Sequence, residues 1–344
     1  MRILYAIQGT GNGHLGRSMD VVPCLRQHGQ VDVLVSGIQG DLVLPFPVKY
    51  KLRGLSFIFG KKGGVDLWKT IAKASFRKFI KGVNTLPVAD YDLVINDFEP
   101  VSAWACYAKN KPCIALSHQA AVLAPESPRA EHTDMIGKMI LNNYAPSSSQ
   151  YGFHFAAYNE SIFTPVIRSQ VRTQELKNKG HISVYLPAYD DDQLVKRLSE
   201  FPDVEWDVFS KHNRKTSRIR NVSLQPVNNA KFIESMAASA GVLCGAGFET
   251  PAEALFMGKK LMVVPMKGQY EQHLNAAALK TMGVPVINNL KPRHEEVISA
   301  WLGNDTIIPV NYPDMTSGIV EKIVARHTAD PFAEWDSYNY LKQS

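Results

Sequence analysis

A chain of 344 residues with 45% hydrophobic content can bury about two ordinary cores, and no apolar run in it approaches the roughly 18 residues of a membrane span. Cys24, Cys106, Cys113 and Cys244 stand far apart with no CxxC spacing, which argues against a zinc cage or a disulfide framework and fits a reducing cytosol. The net charge of +6 is local, because seven basic residues between Lys61 and Lys81 face one acid, Asp66, and the nearly balanced remainder does not suit a nucleic-acid binder. Arg2 to Ile7 follows Met1 directly and reads as a buried strand, so no signal peptide is expected. Gln8 to Gly16 is a glycine-rich turn, Arg17 to Gln27 has helical periodicity, and Val31 to Val35 is a second strand. This β-turn-α-β unit implies a parallel sheet.

The alternation continues. Leu67 to Val83 reads as an amphipathic helix, Leu93 to Ile95 as a strand, Ser102 to Lys109 as a helix and Cys113 to Leu116 as a strand. Residues 120 to 150 are weakly patterned, and Ser147 to Gln150 looks like a loop. Short strands at Phe153 to Ala157 and Ser161 to Phe163 close a first half, and residues 164–171 read as a linker. Strand and helix patterns then restart: strands at His181 to Leu186, Trp206 to Phe209 and Val222 to Gln225, with helices at Asp192 to Glu200 and Ala230 to Ala238. The fold class expected is α/β, with two doubly wound halves at 1–163 and 172–317 and a terminal helix and tail at 318–344 that packs back on the first half. In such sheets ligands sit beyond the carboxyl ends of the strands, here in the cleft between the halves.

Two glycine turns carry the chemistry. In the second half, the strand Ala240 to Leu243 runs into Gly245 and Gly247, a helix starts at once with Glu253 in its first turns, and the strand Leu261 to Val264 leads to a helix opened by Glu271 and Gln272. Glycines at a strand-to-helix turn let backbone N–H groups approach a phosphate, and the helix N-terminus adds partial positive charge. Carboxylates nearby can bind ribose and sugar hydroxyls. These are the parts of a nucleotide-sugar site. In the first half, Gly11, Gly13 and Gly16 spell the GxGxxG dinucleotide fingerprint. The acid it wants about 20 residues on is missing, since the second strand ends at Ser36-Gly37. Gly11 to Ser18 also approaches the P-loop spelling, with Arg17 where Lys belongs, and the two are not interchangeable there.

His14, in the first turn of a helix facing the cleft, is the candidate base, with a helix N-terminus that disfavours the imidazolium. The alternative is a structural histidine bonded within its loop. Asp97, at the end of another strand, can hold the imidazole in one tautomer. Glu99 and His118 are candidates for acceptor contacts or for the base, or else turn caps.

The N-terminal Gly9-x-Gly11-x-Gly13-His14 and the C-terminal Gly247-Phe-Glu-Thr250, Glu253, Gly258, Pro265 and Gln272-x-x-Asn275-Ala276 resemble the GT-B glycosyltransferases. The group includes the bacterial peptidoglycan N-acetylglucosaminyltransferase and the UDP-glycosyltransferases. The resemblance implies two Rossmann-like domains facing each other and an inverting transfer from a nucleotide-sugar, a UDP-sugar by family, to an acceptor hydroxyl. No bound metal or other cofactor is implied. It implies that Gly247, Phe248 and Thr250 hold the donor diphosphate, with Gly245 also at the donor, Glu253 on the ribose, and Glu271 and Gln272 on the sugar. The segment 225–232 would line the base, and His14 would deprotonate the acceptor with Asp97 behind it. Glu249 departs from the family pattern: a carboxylate stands next to the expected phosphates, where it would cap the helix or contact ribose. Lys211 and Arg214 are candidates for the missing positive charge.

Along 67–83, Trp68, Phe76 and other apolar residues recur at helical spacing, with Lys69, Lys73, Arg77 and Lys81 on another face. Either this helix packs its aromatics inside, or it docks on anionic lipid, which would suit a lipid-linked or cell-envelope acceptor at the inner membrane face. The expectation is a cytoplasmic, peripheral enzyme. Competing expectations are a nucleotide-sugar epimerase or hydrolase on the same fold, and a non-catalytic sugar-nucleotide binding protein.

Overall fold

The computed structural model describes residues 1–37, 42–54, 73–132 and 134–332. The continuous apolar runs of the first half become strands buried on both faces, as a parallel sheet with helices on each side requires. β1 (Arg2–Gln8), β2 (Gln30–Ser36), β3 (Tyr50–Leu52), β4 (Leu93–Asp97), β5 (Ile114–Ser117), β6 (Ser149–Phe153) and β7 (Ile162–Phe163) form one all-parallel sheet in the order β3-β2-β1-β4-β5-β6-β7. Its helices are α1 (Asn12–Arg26), α2 (Lys73–Thr85), α3 (Pro100–Ala108), α4 (His118–Leu123) and α5 (Met135–Asn143). Strand order reverses between β1 and β4, so the carboxyl ends of those two strands flank the crevice where doubly wound sheets bind ligands.

A short helix, α6 (Ser169–Arg172), leads to the second sheet. It contains β8 (Ile182–Tyr185), β9 (Trp206–Ser210), β10 (Ser217–Ile219), β11 (Val222–Pro226), β12 (Gly241–Gly245) and β13 (Lys260–Val264), in the order β10-β11-β9-β8-β12-β13. Only β10 runs antiparallel, as the outer strand of a hairpin with β11. Its helices are α7 (Asp191–Leu198), α8 (Asn229–Ala238), α9 (Glu249–Phe256), α10 (Tyr270–Thr281) and α11 (Glu295–Leu302). The terminal helix α12 (Thr316–Ala329) returns to the first half. It lies against α1, buries Ile319, Val320, Ile323 and Val324, and brings His327 Nε2 within 3.2 Å of the Tyr151 hydroxyl. One apolar cluster runs from Ile3 and Phe153 in the first sheet to Cys244 and Val263 in the second, so the halves share a core.

Three details differ from the sequence reading. The serine-rich stretch expected as a loop is instead the entry to β6, and the strand ends at Phe153 rather than starting there. Burial of Ser147, Ser148 and Ser149 is tolerated because polar partners are at hand: Ser148 Oγ donates to the Cys113 carbonyl and accepts from the Cys113 N–H. The weakly patterned stretch 120–150 contains the end of α4 and all of α5. Of the basic amphipathic helix, Lys73–Thr85 is described. Trp68, Lys69 and the side chain of Lys73 lie outside the described residues, as does the tail from 333 to 344.

Candidate active site

α1 begins directly above β1. Gly11, with φ of 96°, makes the sharp entry that a side chain would strain, and His14 falls in the first turn. Asp97, the last residue of β4, is fully buried and reaches across: His14 Nδ1 lies 2.8 Å from Asp97 Oδ1. The carboxylate can only accept, so Nδ1 carries the proton and the Nε2 lone pair faces the cleft. One turn further along α1, Arg17 is 1% exposed. Its Nη2 donates to both Asp97 oxygens at 2.7 and 2.9 Å, and its Nη1 donates to Glu249 Oε1 at 2.6 Å.

These contacts set the electrostatics. Burial disfavours the imidazolium of His14, but the charge and hydrogen bond of Asp97, helped by Glu249 and opposed by Arg17, outweigh it. The His14 pKa is therefore raised above 6.5. The expectation that the helix N-terminus keeps the ring neutral is reversed by this neighbouring carboxylate. Burial alone would also raise Asp97, yet Arg17 and His14 hold its carboxyl below the usual range.

Gly13 and Gly16 of α1 face the second half. A Cβ on Gly13 would stand 2.5 Å from Glu249 Oε2, and one on Gly16 would stand 3.1 Å from Arg168 Cδ. The glycine spacing thus lets Glu249 of the opposite wall and Arg168, just before α6, lie against the helix.

That wall is built by α9 and α10. Gly245 and Gly247 are half-buried, and the space in front of Gly247 is open. Phe248 is buried, its ring stacked 3.9 Å from that of His118. Glu249 opens α9 without capping it and Thr250 follows, half-buried. Glu253 is 2% exposed and bidentate to Arg168 at 2.5 and 2.7 Å, and Arg168 also donates to Asn229 Oδ1. Both oxygens of the residue expected at the ribose are therefore engaged by the linker. Beside them a cleft of about 640 Å³ is lined by Asn12, Gln170, Gln174, Asn228, Asn229 and Ile233 among others, so part of the expected base-lining segment does border open space.

Glu271 accepts from Gln119 Nε2 at 3.0 Å, and the same nitrogen lies 3.5 Å from His14 Nε2. Gln272 Oε1 accepts from the Met266 N–H. Lys211 and Arg214 are exposed in the loop after β9.

Glu99 and His118 are taken up by structure. Glu99 is fully buried, accepts from the N–H groups of Val101 and Ser102 as the cap of α3, and also receives the Ser36 and Ser102 hydroxyls. His118 is 1% exposed and bonded to the Phe153 carbonyl and to Asn275. On α2, Phe79 and Val83 face the core, while Phe76, Arg77, Ile80 and Lys81 are exposed.

Arg17, Gln119 and Arg168 are the site residues that sequence reading missed. Each pairs with a residue at least 85 positions away or lies in an unpatterned segment, so local periodicity carries no sign of it. Arg17 left one trace, an unexpected cation in the glycine turn.

Comparison with known proteins places this geometry. No curated protein matches the chain. Among solved structures, LpCGTa in complex with UDP superposes with a TM-score of 0.57 at 11% identity, over 99% of this chain and 98% of that one. MurG of Acinetobacter baumannii gives 0.53 at 16% identity over 97% and 99%, and Arabidopsis thaliana UGT89C1 complexed with UDP gives 0.54 at 10% over 99% and 98%. At such identities the likeness is one of fold, the two-sheet GT-B arrangement. Residues 1–304 match Glycosyl transferase family 1, and the chain belongs to that family of glycosyltransferases.

Proposed function

We propose that the protein is an inverting, metal-independent transferase that moves a sugar from a UDP-sugar to an acceptor hydroxyl, with His14 as base. The observation that carries this reading is the His14–Asp97 pair at the switch point of the first sheet, with Nε2 turned toward Gln119 of α4, which in turn donates to Glu271 of the donor-side wall. His14 Nε2 takes the acceptor proton as the acceptor oxygen attacks the anomeric carbon. The bond from that carbon to the diphosphate breaks on the opposite face, and UDP departs with the electron pair. Asp97 stabilises the imidazolium, and the start of α9 with exposed Lys211 and Arg214 offers positive charge to the leaving group. Gly245, Gly247, Phe248, Thr250, Glu253 and Gln272 would line the donor, with Glu271 beside the sugar. A base so placed contributes about 10²–10⁴-fold.

Buried side-chain oxygens without a partner among the described residues gather at the carboxyl end of β1: Gln8 Oε1, Thr10 Oγ1 and Asn12 Oδ1, with Gln119 Oε1 near His14. Such atoms suit a hydroxyl-rich substrate. Asp190 and Asp191 of the Asp190-Asp-Asp192 run are occupied within the second half, Asp190 capping α7 and Asp191 accepting the Ser210 hydroxyl. In this reading residues 1–163 are the acceptor side and 172–317 the donor side. The exposed Phe76, Ile80, Arg77 and Lys81 would touch an anionic inner membrane surface bearing a lipid-linked or cell-envelope acceptor.

The test is calorimetric binding of UDP with and without EDTA, followed by UDP release from UDP-sugars in wild type and His14→Ala. Loss of turnover with UDP affinity held within about threefold, well under the 1.4 kcal/mol of a tenfold change, supports the base assignment. Unchanged turnover in that variant refutes it, and absence of UDP binding to wild type refutes the donor.

A further inference from the structure

We propose that Arg17 is a positioning residue that serves both halves of the site. One edge of its guanidinium fixes Asp97 behind the base, and the other holds the Glu249 carboxylate clear of the donor diphosphate. Both parts rest on the reading above, one on the UDP donor and the other on His14 as the base; the contacts of Arg17 with Asp97 and Glu249 do not.

Glu249 is the first residue of α9. A carboxylate there would be expected to turn back toward the free N–H groups of its own helix, which is also where a diphosphate would bind. Two anions cannot share that end. In the structure the side chain points the other way. Oε1 lies on Arg17 Nη1 at 2.6 Å, and Oε2 lies where a Cβ on residue 13 would be, a position that only the glycine leaves vacant. The start of α9 has no side-chain cap, and the space before Gly247 is open.

The opposite edge of the same guanidinium grips both oxygens of Asp97, whose Oδ1 also receives His14 Nδ1. Arg17 Nη2 stands 3.1 Å from that nitrogen, so the cation sits directly against the base. The charged groups facing His14 are therefore Asp97 from β4, Arg17 from its own helix, Glu249 from α9, and Glu271 of α10 through Gln119 of α4. A planar fork with several donors can hold two carboxylates at once, which a lysine ammonium cannot do in this geometry.

The experiment compares wild type, Arg17→Gln, Glu249→Gln and the double variant, reading UDP affinity by calorimetry and His14 titration by NMR. In Arg17→Gln, UDP binding should weaken about tenfold or more, and the double variant should recover it to within about threefold of wild type, because the neutral amide that replaces the Glu249 carboxylate no longer competes with phosphate. The His14 midpoint should rise in Arg17→Gln, which removes a cation, and fall in Glu249→Gln, which removes an anion. A double variant that binds UDP no better than Arg17→Gln overturns the donor half of the proposal. An unmoved His14 midpoint overturns the other half. If wild type fails to bind UDP, the donor reading falls, while the titration still decides whether Arg17 sets the base. Should Arg17→Gln not fold, Arg17→Lys takes its place: one ammonium cannot hold both carboxylates, so UDP affinity or the His14 midpoint should change, and a variant that changes neither overturns the proposal.

Discussion

His14 binds its proton more tightly than a free histidine because Asp97 lies 2.8 Å from Nδ1, so the neutral ring that the proposed mechanism requires accumulates only above pH 6.5. The rate of transfer should rise with pH on a limb whose midpoint lies above 6.5, and Asp97→Asn should lower both the midpoint and kcat. A pH–rate profile of the two proteins checks this. The same shift has a stability counterpart. A group whose folded pKa is raised contributes stability that is complete below its unfolded value and is lost as pH rises through the folded one. The difference in urea stability between wild type and His14→Gln should therefore shrink across that window. His14 and Asp97 were legible as a pair from their places after strands. Arg17 was not, because the residue that gives it meaning, Glu249, is 232 positions away.

At the level of elements, the strand-helix alternation was readable wherever apolar runs were long, as in β1 and β4. It failed at the entry to β6, where serines mimic a loop until Cys113, the residue just before β5, is known as the partner of Ser148. β6 also packs backbone to backbone: a Cβ on Gly152 would lie 2.5 Å from the Ala121 nitrogen and 2.8 Å from its Cα. No flexible side chain can yield there, so Gly152→Ala should cost about 1–3 kcal/mol in urea unfolding. α2 allows a different test. With Phe76 and Ile80 in solvent at 48% and 41% exposure beside Arg77 and Lys81, co-sedimentation with anionic vesicles should fall when both basic residues become Gln, by about 1 kcal/mol for each charge. Unchanged sedimentation would leave α2 a simple surface helix.

Across the whole molecule, the halves are joined by a shared core and by charged pairs that are almost dry. Arg168 from the linker and Glu253 from α9 illustrate the cost: burial raises the Glu253 pKa and Arg168 opposes it, so each needs the other. Arg168→Met should destabilise the chain by about 3–5 kcal/mol by stranding the carboxylate, and adding Glu253→Met should restore most of the loss, read from denaturant midpoints. The two-sheet plan was visible in the sequence as a pattern that stops and restarts near residue 164. The pairs that join the sheets were not, since they link residues that share no local pattern.

Both sheets end in strands poorly suited to recruiting another chain. β3 spans three residues and β7 two, the outer edge of β13 is bridged by Val286, and β11 is covered by the short, fully exposed β10. Arg218 on β10 is bound to Glu205, which places fixed charge along the last open row of peptide groups. A newcomer strand would have to strip that charge to continue the ladder, and would find only three residues to pair with. Short, charged edges of this kind disfavour the edge-to-edge pairing by which sheets rich in Val, Ile and Leu aggregate.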